Sequence, residues 1–458
     1  MIDMRDAAAI GLILLFIVSA YFVAELFLTV GIGWDYAVHY LNGLALTSPV
    51  FYANSAMSHG NVIMKGVYFE PFRAPLTYAI MALLILVDRG AAIYAYAFVV
   101  LVILFAGIVH FSKSAGANPL LLASLTITPL VLAFMLINGA DILVFAMLVI
   151  ALSFLLRKSS YFGLFLGLAC LAKYPALAFL PLLFFLREPK KIAAAIILFI
   201  LVTIPWLAFN AVFFGSPLYS YTTQFSDALI NAPKIGIMPA VLVSFAYAAA
   251  AALLALAMKA RDGGLKSPIY PDRRHIYTIL GTFLALAAAS FVLIAPGQLD
   301  FANQMRFTFL MGFGAASIIS VYIGKDNLSL KLGRLIEVKI FPQMFFAGAV
   351  AVLAVSGFFL SYASIPTPKA EINSAYGMMQ SIGIENCAVV SNAWVWLDYY
   401  GSDSLSPYYY NAIIAKYPII MFNDTGVPTA PRWISNSTLA LKNGSISIYL
   451  PQGYVCSS

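Results

Sequence analysis

Residues 7–40 read AAAIGLILLFIVSAYFVAELFLTV-GIGWDYAVHY, and they decide the class of fold. Positions 7–30 hold a single residue charged at neutral pH, Glu25. A helix of that length rises about 36 Å, enough to cross a hydrocarbon core of about 30 Å. Gly31-Ile32-Gly33 breaks the run, and Trp34-Asp35 opens a segment of different character. Asp35, His39 and Asn42 recur at i, i+4, i+7 and share one helix face, with Val38, Leu41 and Ala45 opposite. A carboxylate placed where the first span leaves the membrane is a functional candidate by default. The spacing leaves open whether the polar face is solvated or turned to a ligand; His39 is expected to orient Asp35 or a ligand rather than bind metal.

The rest of the chain agrees with this class. Of its 458 residues 62% are hydrophobic and 10% charged, and the mean hydropathy is +0.91. Asp3, Arg5 and Asp6 precede the first run and no small-residue cleavage site follows it, so a retained span is expected rather than a signal peptide. The net charge of +7 is no nucleic-acid signal, because the basic residues cluster in short inter-helix loops. Three cysteines are too few for a disulfide scaffold.

Three basic loops anchor the topology: 187–191, 259–274 and 325–339. All three are expected on the cytoplasmic side. Spans then follow at about 192–213, 237–258, 276–296, 306–323 and 341–363. In the first half the apolar stretch 74–87 is short for a crossing. Reading it as a juxtamembrane or re-entrant helix puts Lys113, Arg157 and Lys158 inside and Asp141 outside. The earlier spans become 91–112, 117–137 and 141–156, and 160–186 makes a thin hairpin with Lys173 at its outer tip. The expected fold is an all-α polytopic membrane protein of about eleven transmembrane helices, with a cytoplasmic N-terminus. Residues 1–363 form the membrane domain, with an outer loop at 31–90. Among Lys and Arg of residues 1–363, sixteen lie inside and six outside: Lys65, Arg73, Arg89, Lys173, Lys234 and Arg306.

From Pro366 the composition changes. Helix-like 369–382 and 410–416 alternate with apolar Cys387–Val390, Pro418–Phe422 and Ile446–Leu450, so 364–458 is expected as a small extracytoplasmic α/β domain. It carries Asn-x-Ser/Thr sequons at Asn423, Asn436 and Asn443. Cys387 and Cys456, both in this oxidising compartment, are expected to pair.

Several polar residues interrupt the apolar segments. Asp141 in Asn138-Gly139-Ala140-Asp141 stands at the outer mouth of a helix, where it could also serve as a cap. Lys173 in Leu171-Ala172-Lys173-Tyr174-Pro175 is costly to bury without a partner. Arg306 begins the tenth span. Tyr68-Phe69-Glu70-Pro71-Phe72-Arg73-Ala74-Pro75-Leu76 brings Arg73 to a helix entrance, since Pro75 suits a first turn. There Arg73 could grip phosphate or snorkel. Glu25 reads as a partner for another buried polar group.

The order of these motifs resembles a family. Asp35 comes first, followed by Arg73-Ala74-Pro75-Leu76, Asp141 and Leu171-Ala172-Lys173-Tyr174. Pro205-Trp206 with Asn210, Gly215-Ser216-Pro217-Leu218 and Arg306-Phe307 complete the series. Over roughly residues 1–325 it is similar to the GT-C glycosyltransferases, in the branch of protein O-mannosyltransferases and lipid A aminoarabinose transferases. Two positions depart: Tyr36 follows Asp35 where many members carry a second acidic residue, and the usual Lys-Pro-Pro-Leu is Arg-Ala-Pro-Leu.

The resemblance implies a membrane glycosyltransferase with a polyprenyl-phosphate monosaccharide donor. The residues fit that chemistry. No P-loop or dinucleotide motif offers a nucleotide-sugar site. Arg73, Lys173 and Arg306 would hold the donor phosphate as its charge grows. Asp35 would act as general base on an acceptor hydroxyl, a direct displacement that inverts the anomeric carbon. Asp141 would position donor or acceptor. His39, Glu70 and Asn42 would support the site. No cofactor is required by the sequence; were a divalent cation such as Mg or Mn used, Asp35 and Asp141 would be its ligands. The expected partners are the donor lipid, a protein, lipid or glycan acceptor and the membrane, and no nucleic acid. The rival readings are a transporter or flippase of lipid-linked sugars and a non-catalytic scaffold. Repeat-related broken helices would favour the transporter, and the sequence shows no internal repeat.

Overall fold

The structure, a computed structural model, describes residues 4–29, 31–48, 62–64, 67–69, 73–223, 249, 273–294, 301–323, 328–332, 336–340, 342–362, 368–399, 404–405, 417–422 and 437–455. It is mostly helical, with a small C-terminal sheet, and it is a membrane protein. Among the described residues four helices are long and apolar enough to cross a bilayer: α1 (Met4–Thr29, from Ala8), α4 (Ala92–Ala115), α7 (Gly139–Leu156) and α9 (Pro189–Phe214). A fifth is reached if a bent pair is counted as one. The expected eleven spans are therefore not counted out. Apart from residue 249, the segment 237–258 lies outside the described residues.

The chain divides into two compact units. One holds 1–26, 72–77 and 94–362; the other holds 27–71, 78–93 and 363–458.

In the first unit, α1 presents Ile10, Ile13, Leu14, Ile17 and Tyr21 outward and buries Leu15, Ser19, Phe22 and Val23. Apolar residues on the outer face are what lipid, rather than water, selects. The expected span 117–137 is two helices, α5 (Pro119–Thr126) and α6 (Pro129–Ile137), bent by 58°. Pro129 causes the break: it lacks an N–H and pushes Thr128 out of helical geometry. Thr128, extended at φ −112° and ψ 159°, then caps α6 by accepting from Val131 N at 3.3 Å. Asn118 caps α5 in the same way through Leu120 N and Leu121 N.

The thin hairpin is present. Its first arm is α8 (Tyr161–Ala172), its second a 3-10 helix, Tyr174–Leu186, and Lys173 between them is extended at φ −164° and ψ 133°. The 3-10 winding answers the difficulty of a short second arm. At about 2.0 Å per residue, 13 residues rise roughly 26 Å, against roughly 20 Å for an α-helix. The first arm packs on α9 through Gly163 and Gly167, one turn apart. A Cβ at Gly163 would fall 1.9 Å from the carbonyl oxygen of Ala195. Such small-residue contacts let membrane helices approach backbone to backbone. α9 ends at Gly215, whose φ of +75° is the left-handed conformation glycine adopts readily. Helices α10 (Arg273–Ile294), α11 (Phe301–Ile323) and α12 (Pro342–Tyr362) follow. The basic loop 325–339 holds an antiparallel hairpin, β3 (Leu328–Leu332) and β4 (Ile336–Ile340).

In the second unit, α2 (Trp34–Thr47) is buried from Tyr36 to Gly43. The polar face expected to be solvated or ligand-facing is thus enclosed: His39 is 3% and Asn42 0% exposed. The loop 31–90 adds a hairpin, β1 (Val62–Met64) with β2 (Val67–Phe69). The apolar stretch 74–87 is α3 (Pro75–Val87), 13 residues and about 20 Å long; its first turn belongs to the first unit.

The tail folds around a five-stranded sheet of order β6-β5-β7-β9-β8. β5 (Val389–Ser391) runs parallel to both β6 (Ser404–Leu405) and β7 (Ile419–Phe422). β9 (Ile446–Pro451) pairs antiparallel with β7 and with β8 (Ser437–Asn443). Helix α13 (Pro368–Ser381) buries Ile372, Ala375 and Met379 against this sheet. Helix α14 (Trp394–Tyr399), β6 and β8 were not expected from the sequence; helix-like 410–416, Asn423 and Asn436 lie outside the described residues. Cys387 is disulfide-bonded and Cys170 is a buried free thiol; Cys456 lies outside the described residues. Asn443 is exposed at a two-residue hairpin turn.

Candidate active site

Three ionisable side chains converge inside the first unit. Asp141 stands in the first turn of α7, Lys173 at the junction of the hairpin arms and Arg306 near the start of α11. Their exposures are 2%, 7% and 5%. Lys173 Nζ donates to Asp141 Oδ2 at 3.0 Å. Arg306 Nε donates to Asp141 Oδ1, and its Nη2 reaches Oδ2 at 3.4 Å. The guanidinium thus grips the carboxylate in a fork.

Local folding explains each position. Asn138 leaves helical geometry at φ −148° and ψ 81°, which ends α6 and starts α7 with Asp141 three residues on. A carboxylate in a first turn is favoured by the helix dipole. Tyr96 of α4 donates its hydroxyl to Gly139 O at 3.1 Å and fixes the same turn. Lys173 leaves α8 in extended conformation and is the N-cap residue of the 3-10 helix, whose first turn holds Pro175. Next to it, Tyr174 Oη accepts from Trp206 Nε1 at 2.9 Å. Asn210 Nδ2 donates to Trp206 O at 3.0 Å, and Ser220 Oγ donates to Asn210 Oδ1. The residues after Lys173 are therefore tied to α9 and to the loop beyond Gly215.

Two cations thus meet one buried carboxylate, and Arg306 and Lys173 together bring eight N–H donors to the site. An anion that reached them would meet charge-assisted donors in a low-dielectric setting.

Asp35 belongs to the second unit. It lies half-buried in the first turn of α2, behind Gly33 in extended conformation. Its neighbours are fixed: Tyr36 donates its hydroxyl to Ile93 O, and Tyr40 to Arg89 O at 3.4 Å. His39 stacks on Tyr78 with ring centroids 6.5 Å apart. Arg73 is half-buried just before α3, in the first unit. Glu70 lies outside the described residues.

No family model matches the sequence, and no curated protein matches it. A solved structure does. The crystal structure of ArnT from Cupriavidus metallidurans bound to undecaprenyl phosphate is similar over 96% of this chain and 98% of that one, with a TM-score of 0.59 and 12% identity. The chain has the GT-C fold.

At that identity the likeness carries architecture, and the GT-C fold leaves the chemistry to the residues. Among the described residues no group of three or more His, Cys, Asp and Glu is placed to hold a metal ion. Asp141 is a poor ligand in this arrangement, since both of its oxygens already accept from cations. The sequence grouped Lys173 and Arg306 as cations for the donor phosphate and did not pair either with Asp141. The signal was the placement of three charges in apolar segments, which obliges them to find partners. Tyr96 and Ser220 gave no such signal, because a buried hydroxyl is common in helices.

Proposed function

We propose that the protein is a membrane glycosyltransferase that moves a monosaccharide from a polyprenyl-phosphate donor to an acceptor hydroxyl on the outer face, with inversion at the anomeric carbon. The observation that carries this reading is the buried Asp141–Lys173–Arg306 cluster, in which two cations converge on one carboxylate. A donor phosphate is an anion that such a pair of cations would grip. The reaction also suits it: when the glycosidic C–O bond breaks, the phosphate gains charge and the cations hold it more tightly. Asp141 keeps the two cations oriented. Arg73 adds a further positive charge. The GT-C fold and the undecaprenyl phosphate held by ArnT support a lipid-phosphate donor.

In this reading Asp35 takes the proton from the acceptor hydroxyl as its oxygen attacks the anomeric carbon. A carboxylate contributes about 10²–10⁴-fold in that role. The termini follow the charge pattern, N-terminus cytoplasmic and C-terminal domain extracytoplasmic. The bent pair α5–α6 does not favour a transporter, for residues 119–137 contain no ionisable side chain to coordinate a coupling ion.

The test uses purified full-length protein in nanodiscs and undecaprenyl phosphate as probe. Arg306→Ala should weaken binding at least tenfold and Arg306→Lys less, because lysine keeps the charge and loses the fork. Unchanged binding by Arg306→Ala would remove the cluster from the donor site.

A further inference from the structure

We infer that Trp396, in the C-terminal domain, is a positioning residue for Asp35; the inference rests on the general-base reading above. The second unit holds α2 from two directions. On one side lie α3 and the turn that follows it. A Cβ at Gly43 would meet Met81 Cβ at 2.9 Å and Ala82 N at 3.0 Å, so α2 and α3 touch backbone to backbone. The Tyr36 and Tyr40 hydroxyls latch the same side to Ile93 and Arg89.

On the other side lies α14. Trp396 meets Trp34 edge to face, ring centroids 6.1 Å apart at 85°. Tyr399 meets Tyr40 in the same manner, at 5.4 Å and 77°. These are geometries aromatic pairs prefer. The contact with Trp34 falls on the residue directly before Asp35. Asp35 therefore sits between two pinned neighbours, Trp34 by Trp396 and Tyr36 by Ile93.

The pin is itself rigid. Asn392 joins the start of α14 to strand β7: its Nδ2 donates to Phe422 O at 2.8 Å and its Oδ1 accepts from Phe422 N at 2.9 Å. Ser391 Oγ accepts from Ala393 N at 3.0 Å. Val395 and Leu397 are fully buried in the domain, and Trp396 between them packs against the same core, so it cannot shift without disturbing the sheet. Trp34, Asp35 and Trp396 all stay half-exposed, as a pin beside a group that must meet an acceptor requires. On this account the C-terminal domain fixes the base for the reaction. A misplacement of about 1 Å at such a group can lower a rate by about 10²-fold.

The experiment is a double-mutant cycle on the full chain in nanodiscs. Single-turnover transfer is followed from a panel of radiolabelled undecaprenyl-phosphate monosaccharides to a lipid extract of the native membrane. Trp396→Ala should slow transfer about 10- to 100-fold and leave undecaprenyl phosphate binding unchanged. Trp396→Phe, which keeps an aromatic edge, should recover most of the rate. In the Asp35→Asn background Trp396→Ala should have no further effect, because it acts through a group already removed. Tyr399→Ala, whose contact falls on Tyr40 farther along α2 from the base, should have a smaller effect and serves if Trp396→Ala does not fold. Full activity of Trp396→Ala beside an inactive Asp35→Asn would overturn the positioning role alone, as would two effects that add. An active Asp35→Asn would overturn the general-base reading and this inference with it.

Discussion

Asp141→Asn is the most revealing perturbation of the buried cluster. Asparagine matches aspartate in size, so packing is conserved and only charge and one acceptor are lost. The cluster loses its one shared negative charge, and the new amide nitrogen points a donor at one of the cations. With Lys173 Nζ 3.0 Å from Asp141 Oδ2, the direct attraction at an effective dielectric constant of about 20 is roughly 5 kcal/mol. Desolvation offsets part of the gain from forming the cluster, but that cost remains when the carboxylate is neutralised. Removing one partner of a buried ion pair costs about 3–5 kcal/mol. At about 2 °C per kcal/mol, the low end of the range for large domains, the melting midpoint should fall by about 6–10 °C. Intrinsic fluorescence of the purified chain in detergent measures this. Lys173→Met should do less harm, for it leaves the forked Arg306–Asp141 pair neutral. Undecaprenyl phosphate should protect Asp141→Asn, since its charge replaces the lost anion. A midpoint within about 1 °C of wild type, or a larger loss for Lys173→Met, would refute the reasoning.

Gly163→Ala should be among the most harmful single-methyl changes, because its Cβ would overlap the Ala195 carbonyl; overpacking of this kind costs about 1–3 kcal/mol or more, and a midpoint equal to wild type would contradict the helix contact. Gly167→Ala, whose Cβ would lie 3.3 Å from Phe199 O, should be milder in the same melt. Cys387→Ser should destabilise the C-terminal domain by about 2–5 kcal/mol, seen as faster proteolysis of that domain under oxidising conditions and no difference from wild type under reducing ones.

The sequence made the membrane class legible because hydrophobic length is a one-dimensional property, and it marked Asp35, Asp141, Lys173 and Arg306 because charge in an apolar run is rare. It did not reveal that the last three meet. They lie 32 and 165 positions apart, and pairing at such distances is set by helix packing. The enclosure of α2 was hidden for a related reason. The i, i+4, i+7 spacing of Asp35, His39 and Asn42 is that of an amphipathic surface helix, but helices 75–87 and 394–399 cover it from both sides. Apolar spacing also could not distinguish an α-helical second arm from the 3-10 helix Tyr174–Leu186, because both winding modes bury leucine and phenylalanine equally well. The break at Pro129 was legible as a proline, but 117–137 read as one span because its hydropathy is unbroken. Strand β8 was missed because its residues are largely exposed and its pattern is polar.

The central claim, that a polyprenyl-phosphate donor is attacked by a hydroxyl whose proton goes to Asp35, is tested most directly by Asp35→Asn in single-turnover transfer. Asparagine keeps size and hydrogen bonding and cannot take a proton at neutral pH. The account predicts normal membrane insertion, normal undecaprenyl phosphate binding and a transfer rate lower by about 10²–10⁴-fold. Transfer at the wild-type rate would contradict it.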